Sequence, residues 1–125
     1  MKKAHIFNFT VAYADTDAEG VMYHARYIEV AERARFDFSK DIKIPDGDLG
    51  FVAREVNIKY KSPLLLGDEF QVESTLAECG GAFMTIEQKF VKKDKICAIM
   101  KITIVYLGGD MRPKAMPESM VKALM

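Results

Sequence analysis

A single amphipathic helix is predicted between one strand and four more, and this order of elements limits the folds that the chain can adopt. Residues 6–13 alternate between apolar and polar side chains, which is typical of a half-buried strand. From His24 to about Phe38 the apolar residues recur at helical spacing, and they are Tyr27, Ile28, Ala31, Ala34 and Phe38. A lone helix must bury its apolar face against the sheet, so the sequence predicts an α+β fold.

Four strands of alternating character follow the helix, within residues 52–60, 70–76, 84–90 and 96–106. Gly80-Gly81 predicts a hairpin, and the charged run at residues 92–95 predicts a second turn. Short turns between successive strands favour an antiparallel meander. A loop follows, and then a short helix that begins near Pro117. The apolar faces of the five strands comprise Phe7, Phe9, Val11 and Tyr13; Val52, Val56, Ile58 and Tyr60; Phe70, Val72 and Leu76; Met84, Ile86 and Phe90; and Ala98, Met100, Ile102 and Ile104.

Length and composition favour one globular domain over residues 1–125. The formal net charge is zero, which argues against a broad nucleic-acid-binding face. Asn8 and Thr10 interrupt the apolar run near the amino terminus, and no stretch approaches about 18 uncharged apolar residues. Neither a signal peptide nor a membrane span is therefore expected. Cys79 and Cys97 are isolated in the sequence, and we expect reduced, mostly buried thiols in a cytoplasmic protein.

Two aspartates, a glycine and a histidine lie between the first strand and the helix, at Asp15, Asp17, Gly20 and His24. A carboxylate near a helix N-terminus can cap the helix, because free backbone N–H groups and the helix dipole stabilise its charge. The same N–H groups can instead take up charge on a substrate carbonyl oxygen, while a carboxylate attacks the carbonyl carbon or activates water. The residues alone leave both interpretations open, and His24 suits either a structural hydrogen bond or catalysis. No metal site is expected, because a compact set of ligands at the required spacing is missing.

The segment YADTDAEGVMYHARYIEVAERAR, residues 13–35, resembles the signature of the 4-hydroxybenzoyl-CoA thioesterase-like family, a branch of the hotdog-fold acyl-CoA thioesterases. Its motif D-x-D-x-x-G-x-x-Y-H-x-x-Y, followed by E-R-A-R, is most similar to the branch associated with the bacterial Tol–Pal system. The resemblance continues in VNIKYKSPLLLGDEF, residues 56–70, and RPKAMPESM, residues 112–120. It implies a hotdog fold, in which an antiparallel sheet of about five strands wraps a long central helix. It also implies a homodimer with two composite sites, or a homotetramer.

The resemblance assigns roles to the residues around the start of the helix. Asp17 matches the catalytic carboxylate, which serves as nucleophile or as general base towards water. Gly20 matches the glycine of the turn, and His24 lies where a backbone N–H polarises the thioester carbonyl. The imidazole of His24 is a candidate for an added catalytic role. Tyr23 and Tyr27 are expected either to line the acyl pocket or to belong to the core.

The nucleotide of coenzyme A has no obvious binding residues in the sequence. In one branch of the family, basic residues near the turn after the third strand bind this nucleotide, but here that stretch reads ECGGAF, residues 78–83. Other basic residues must then meet the phosphates, and the candidates are Lys59, Lys61, Lys89 and Lys92. Elsewhere, Asp15 is expected to shape the turn. Glu32 and Arg35 are interpreted as an ion pair or as solvated helix charges.

The leading hypothesis is a thioesterase that converts an acyl-CoA or acyl-carrier-protein thioester and water into a free acid and a thiol. No cofactor is expected, because coenzyme A is part of the substrate. One alternative is a non-catalytic acyl-CoA or acyl-carrier-protein binding module, although pure binding has no need of the aspartate. A hotdog dehydratase is a third interpretation, but no second histidine follows His24, and His5 is expected to be peripheral. The sequence leaves the acyl group open.

Overall fold

One long helix packs against a five-stranded sheet in the computed structural model, which describes residues 4–125. Residues 1–3, with the two lysines of the amino-terminal segment, lie outside the described residues. The elements in chain order are β1 (His5–Thr10), a 3-10 turn (Tyr13–Asp15), α1 (His24–Ser39), β2 (Asp48–Tyr60), β3 (Glu69–Cys79), β4 (Phe83–Lys92), β5 (Lys95–Gly108) and α2 (Glu118–Leu124).

The strands form one antiparallel sheet in the order β1-β3-β4-β5-β2. The predicted meander is confirmed for β3, β4 and β5 but is wrong for β2, which pairs with β5 at the opposite edge from β1. The reason lies in the connection at residues 61–68, which is too long for a tight hairpin and carries the chain across to β3. The two predicted turns are confirmed, since Gly80 N–H donates to the Phe83 carbonyl, at 2.8 Å, and β4 passes into β5 through Lys93 and Asp94.

α1 buries one stripe of side chains against the sheet. The buried residues Tyr27, Val30, Ala31 and Ala34 recur at i, i+3, i+4 and i+7. The placement of Ile28 in this stripe is wrong, because Ile28 lies beside it and is 39% exposed. The predicted apolar faces of three strands are confirmed as core, and they comprise Phe70, Val72, Leu76, Met84, Ile86, Phe90, Ala98, Met100, Ile102 and Ile104. Helix and sheet therefore share one core, as the α+β prediction requires.

The first strand is shorter than its alternation predicts. β1 ends at Thr10, and Val11 then exchanges backbone hydrogen bonds with the loop at residues 67–68. Tyr13 belongs to the 3-10 turn and is 83% exposed, so its placement on the buried face of the strand is wrong. The carboxylate of Asp15 causes this change of direction, because it accepts the backbone N–H of Ala12 at 2.8 Å.

β2 is a long strand at the edge of the sheet, and one of its sides has no partner strand among residues 4–125. Its predicted apolar face is largely open to solvent, with Val52 and Val56 each 39% exposed and Tyr60 47% exposed. Ile58 is half-buried. Unpaired backbone groups and accessible apolar side chains on an edge strand are features of a surface that other strands can pair with.

The remaining predictions concern the carboxyl-terminal helix and the cysteines. α2 follows Pro117 as predicted. Cys97 is buried, but Cys79 is exposed beside the β3–β4 turn, so the expectation of burial is wrong for Cys79. Both thiols are free. Within residues 4–125, no helix is long and apolar enough to span a membrane.

Candidate active site

Asp17 lies in a tight hairpin that leads into α1, which we call the Asp17 hairpin (residues 16–22). Thr16 and Met22 form an antiparallel bridge, and Gly20 N–H donates to the Asp17 carbonyl at 3.1 Å. Gly20 has a φ of +80°, a left-handed conformation that glycine adopts at little cost. The Asp17 carboxylate is exposed and accepts the backbone N–H of Glu19 at 2.8 Å. It therefore does not cap α1, and that alternative is wrong.

Asp15 fixes the entry to this hairpin, as predicted. Besides its bond with Ala12, its backbone carbonyl accepts the N–H of Tyr23 at 2.9 Å. Arg26, in the first turn of α1, donates to the Ala14 carbonyl at 2.7 Å and lies 3.4 Å from the Asp15 carboxylate. These contacts bind the loop to the start of the helix, so the Asp17 hairpin and the α1 N-terminus have a defined relation.

The N-terminus of α1 has no side-chain cap. Tyr23 occupies the N-cap position without a capping hydrogen bond, and the N–H of Arg26 turns back to the Tyr23 carbonyl at 2.8 Å. Among residues 4–125, neither His24 nor Ala25 has an acceptor for its backbone N–H. Two free donors at the positive end of a 16-residue helix form a site where negative charge is stabilised.

A cavity of about 300 Å³ lies beside this helix start. It brings together three of the predicted site residues, His24, Tyr27 and Lys61, with Val21, Met22, Tyr60, Ser62 and Pro63. Asp17, Gly20, Tyr23 and Lys59 do not line it. The Asp17 hairpin and the cavity are therefore two adjoining parts of the candidate site, joined through residues 21–24.

Tyr60 is a residue of this cavity that the sequence analysis missed as a site residue. Its hydroxyl donates to the carbonyl of His24 at 2.8 Å, and its ring meets Tyr27 edge to face at 5.0 Å. Burial raises the pKa of both tyrosines, so both hydroxyls stay protonated and can donate at neutral pH. Tyr27 is at once core and cavity wall, whereas Tyr23 is exposed and packs against the His24 ring at 4.5 Å.

The four candidate lysines differ in their partners. Lys92 lies 2.9 Å from Asp68, and Lys89 lies 3.8 Å from Glu87. Lys59 and Lys61, at the end of β2 and just beyond it, have no carboxylate within 4.0 Å among the described residues. These two ammonium groups are the ones available to an external phosphate.

Other predicted charges lie outside this site. Glu32 and Arg35 do not form a direct ion pair; Arg35 instead donates to the Oε1 of buried Gln88 at 3.0 Å. His5 is peripheral, as expected, and lies 2.8 Å from Asp37 near the far end of α1. In the part of the chain that the structure describes, no group of three or more His, Cys, Asp or Glu side chains is placed to hold a metal ion.

The sequence of this chain is similar to those of known proteins over most of its length. The family model described as "Thioesterase-like superfamily" matches residues 11–124. A relative named "Acyl-CoA thioesterase YbgC", from Haemophilus influenzae, is 36% identical over 125 aligned residues, which cover 94% of this chain and 90% of the relative.

Solved structures match over nearly the whole chain. "Probable Thioesterase from Bartonella henselae" is 27% identical, with a TM-score of 0.83, and the match covers 92% of this chain and 100% of that one. A 1,4-dihydroxy-2-naphthoyl-CoA thioesterase from Synechocystis has a TM-score of 0.88 at 16% identity, covering 98% of this chain and 96% of that one. The predicted hotdog fold is thereby confirmed.

Proposed function

The chain belongs to the thioesterase-like superfamily, and from that premise we propose that it is an acyl-CoA thioesterase with Asp17 as its catalytic carboxylate. The named relative at 36% identity supports this activity. The observation that carries the proposal is the uncapped start of α1, directly after the Asp17 hairpin, where the N–H groups of His24 and Ala25 have no acceptor in the described part of the chain.

In the proposed reaction, the thioester carbonyl oxygen accepts a hydrogen bond from the N–H of His24. This donor and the helix dipole stabilise the negative charge that develops on the oxygen as the carbonyl carbon is attacked. Asp17 either attacks that carbon itself or takes a proton from the water that does. The C–S bond then breaks, and the thiolate of coenzyme A leaves and takes up a proton. If water was the nucleophile, this step gives the free acid directly; if Asp17 was the nucleophile, water then hydrolyses the acyl–aspartyl anhydride, which releases the acid and restores the Asp17 carboxylate.

Lys59 and Lys61 are proposed to bind the phosphates of coenzyme A. Both lack a carboxylate partner among residues 4–125, and Lys61 also lines the cavity at His24. Lys59 lies at the end of β2 and Lys61 just beyond it, so the same end of this strand carries both ammonium groups. An ammonium pair of this kind suits a phosphate or pyrophosphate group.

The proposed active form is a dimer that pairs through β2. The edge of β2 exposes unpaired backbone groups, and a second copy of the same strand satisfies them by antiparallel pairing. The Asp17 carboxylate is exposed in a single chain and does not line the cavity, so a second copy is expected to complete the site. An acyl-CoA substrate and two free thiols are consistent with a reducing, cytoplasmic location.

The test is release of free thiol from short, long and aromatic acyl-CoAs, and from acyl-carrier-protein thioesters. We expect turnover by the wild type and its loss in Asp17→Asn, which keeps the size of the side chain but removes the charge. Asp41→Asn is the matched control, because Asp41 is exposed and lies beyond the C-terminus of α1. An enzyme-only blank corrects for Cys79 and Cys97.

Two outcomes contradict the proposal in different ways. Full activity in Asp17→Asn would mean that Asp17 is not the catalytic carboxylate, although the protein would still be a thioesterase. Saturable acyl-CoA binding by the wild type without any product favours the non-catalytic binding module instead.

A further inference from the structure

A second cavity, of about 360 Å³, lies at the opposite end of α1 from His24. It is partly open to solvent and is lined by the last turns of α1, the start of β2, the centre of the sheet and the end of α2. Most of its lining is apolar, including Phe36, Phe38, Phe51, Val52, Met84 and Ile86. We call this space the Arg35 cavity, because Arg35 supplies its only positive charge among the described lining residues.

The guanidinium of Arg35 is partly buried and has no negatively charged group in direct contact among the described residues. One nitrogen, Nη1, donates to the Oε1 of Gln88, which is fully buried, so the group reaches between helix and sheet. A guanidinium has five N–H donors, and within residues 4–125 no carboxylate lies within 4.0 Å of this one. Burial lowers the pKa of Arg35, and the charge of Glu32 opposes that effect. A desolvated cation without a close anion favours binding of an anionic group.

The two cavities lie at opposite ends of α1, and residues of β2 line both of them. Tyr60 contacts His24 at one end, while Ser39 and Phe51 line the Arg35 cavity at the other. Arg35 lies eleven positions after His24, which is about 16 Å along a helix. Helix and edge strand therefore run in opposite directions, and β2 reaches from the Arg35 cavity to the cavity at His24.

When β2 pairs antiparallel with the same strand of a second copy, the two strands run in opposite directions. The Tyr60 end of one strand then lies near the Phe51 end of the other. The cavity at His24 in one subunit is thereby brought towards the Arg35 cavity of its partner. A thioester held at His24 can extend its acyl group across the interface.

We propose that the Arg35 cavity of the partner subunit holds the distal part of the acyl group, and that Arg35 selects acyl groups ending in a carboxylate. This inference rests on the proposed thioesterase function and on pairing through β2. The apolar walls accept the methylene groups, and the planar guanidinium forms paired hydrogen bonds with the terminal carboxylate. The substrate class is then the monothioester of a dicarboxylic acid with coenzyme A.

Glu32 acts weakly against this preference. It is the only acid among the described residues that line the Arg35 cavity, but its side chain is exposed and solvent screens its charge. We expect Glu32→Gln to increase the preference for a terminal carboxylate, because the substitution removes a negative charge that repels the carboxylate of the substrate.

The first experiment compares kcat/KM for pairs of acyl-CoAs of equal length, such as glutaryl with pentanoyl, adipoyl with hexanoyl, and suberyl with octanoyl. We expect the wild type to favour the carboxylate member of at least one pair by about tenfold or more, equivalent to about 1.4 kcal/mol. Arg35→Gln should abolish this ratio and still hydrolyse the uncharged member. Arg35→Lys should retain part of it, and Arg33→Gln, at the exposed neighbouring arginine, should retain all of it.

The ratio of the two kcat/KM values within a pair distinguishes substrate selection by Arg35 from a purely structural role of Arg35. If Arg35 only supports Gln88, its replacement lowers activity towards both members of a pair equally, and the inference is overturned. Asp17-dependent hydrolysis by the wild type without a preference at any length also overturns the inference but leaves the proposed function standing. Calorimetry with the Asp17→Asn variant compares the Kd values of the same acyl-CoA pairs without turnover. It therefore tests the preference for a terminal carboxylate even where hydrolysis is absent.

Mixed dimers test whether Asp17 and Arg35 come from different subunits. Asp17→Asn and Arg35→Gln chains are co-expressed with different tags in equal amounts. If each site takes one residue from each subunit, every mixed dimer contains one intact site. Random association then restores about a quarter of wild-type activity towards the carboxylate substrate. Activity no greater than that of the two separate variants would place both residues in one subunit and overturn the composite arrangement.

Discussion

At the scale of single residues, Asp48 makes the stability of the protein depend on pH. Lys114 Nζ and the Tyr106 hydroxyl both donate to its carboxylate, at 2.8 Å and 2.5 Å, and they hold the pKa of Asp48 below its usual range. A carboxylate with a depressed pKa contributes stability above its unfolded pKa, about 3.9, and loses that contribution as the pH falls through its folded pKa. Burial and the same carboxylate raise the pKa of Tyr106 to about 12.

We therefore expect Asp48→Asn to reduce the free energy of unfolding at pH 7 but to flatten its dependence on acid pH. In the wild type, the Asp48 contribution should decline as the pH falls from about 4 through the folded pKa, whereas the Tyr106 contribution should decline as the pH rises from about 10 towards the folded pKa. Urea unfolding between pH 2 and pH 7 measures how the free energy of unfolding depends on acid pH. Parallel curves for wild type and Asp48→Asn would show that the carboxylate contributes nothing through ionisation.

Gly20 is a second residue whose replacement has a defined cost. A Cβ at this position would meet no atom within 4 Å, so space is not the obstacle. The φ of +80° is the obstacle, and a side chain in the left-handed region costs about 1–2 kcal/mol. We expect Gly20→Ala to lower the free energy of unfolding by about that amount and to lower kcat by displacing Asp17. Gly81→Ala, at an open position without a left-handed φ, is the control, and equal losses in both variants would refute the conformational explanation.

At the scale of elements, the end of β2 positions the start of α1. The hydroxyl of Tyr60 donates to the carbonyl of His24, the residue whose N–H is proposed to polarise the thioester. We expect Tyr60→Phe to lower kcat several-fold with little change in KM. The His24 N–H is then held less firmly in place, whereas the aromatic ring still forms the wall of the cavity. The thermal midpoint should fall only slightly, since one partly exposed hydrogen bond contributes about 0.5–1.5 kcal/mol. A loss confined to KM would instead make Tyr60 a substrate-binding residue.

Elements whose partners are close in the chain were the most predictable from the sequence. The alternation in β3, β4 and β5 predicts the buried faces, and the turns between these strands are short enough to specify their pairing. The position of β2 beside β5 was not predictable, because alternation identifies a strand but not its neighbour. The Asp17 hairpin was visible because the hydrogen bonds that form its turn join residues four positions apart or fewer, whereas its bonds with Leu64 and Leu66 were not predictable. Tyr60 and Arg35 were missed as site residues because Tyr60 meets His24 across 36 positions and Arg35 meets Gln88 across 53.

At the scale of the whole molecule, the two edges of the sheet allow a matched test of assembly. Val56 lies near the middle of β2 and is 39% exposed, and Ile6 occupies β1 at the opposite edge and is 44% exposed. If β2 pairs with its own copy, Val56→Lys places two like charges in the paired strands and removes apolar area from the interface. We expect this variant to be monomeric by light scattering and to lose most of its thioesterase activity.

Ile6→Lys introduces the same charge at the same kind of position and should leave both the dimer and the activity intact. Because Asp17, His24 and Tyr60 are untouched in both variants, loss of activity in Val56→Lys alone would mean that catalysis requires the second subunit. An active Val56→Lys monomer would mean that each chain carries a complete site. A dimer broken by Ile6→Lys instead would move the interface to β1, where the cavities at His24 and Arg35 would no longer meet.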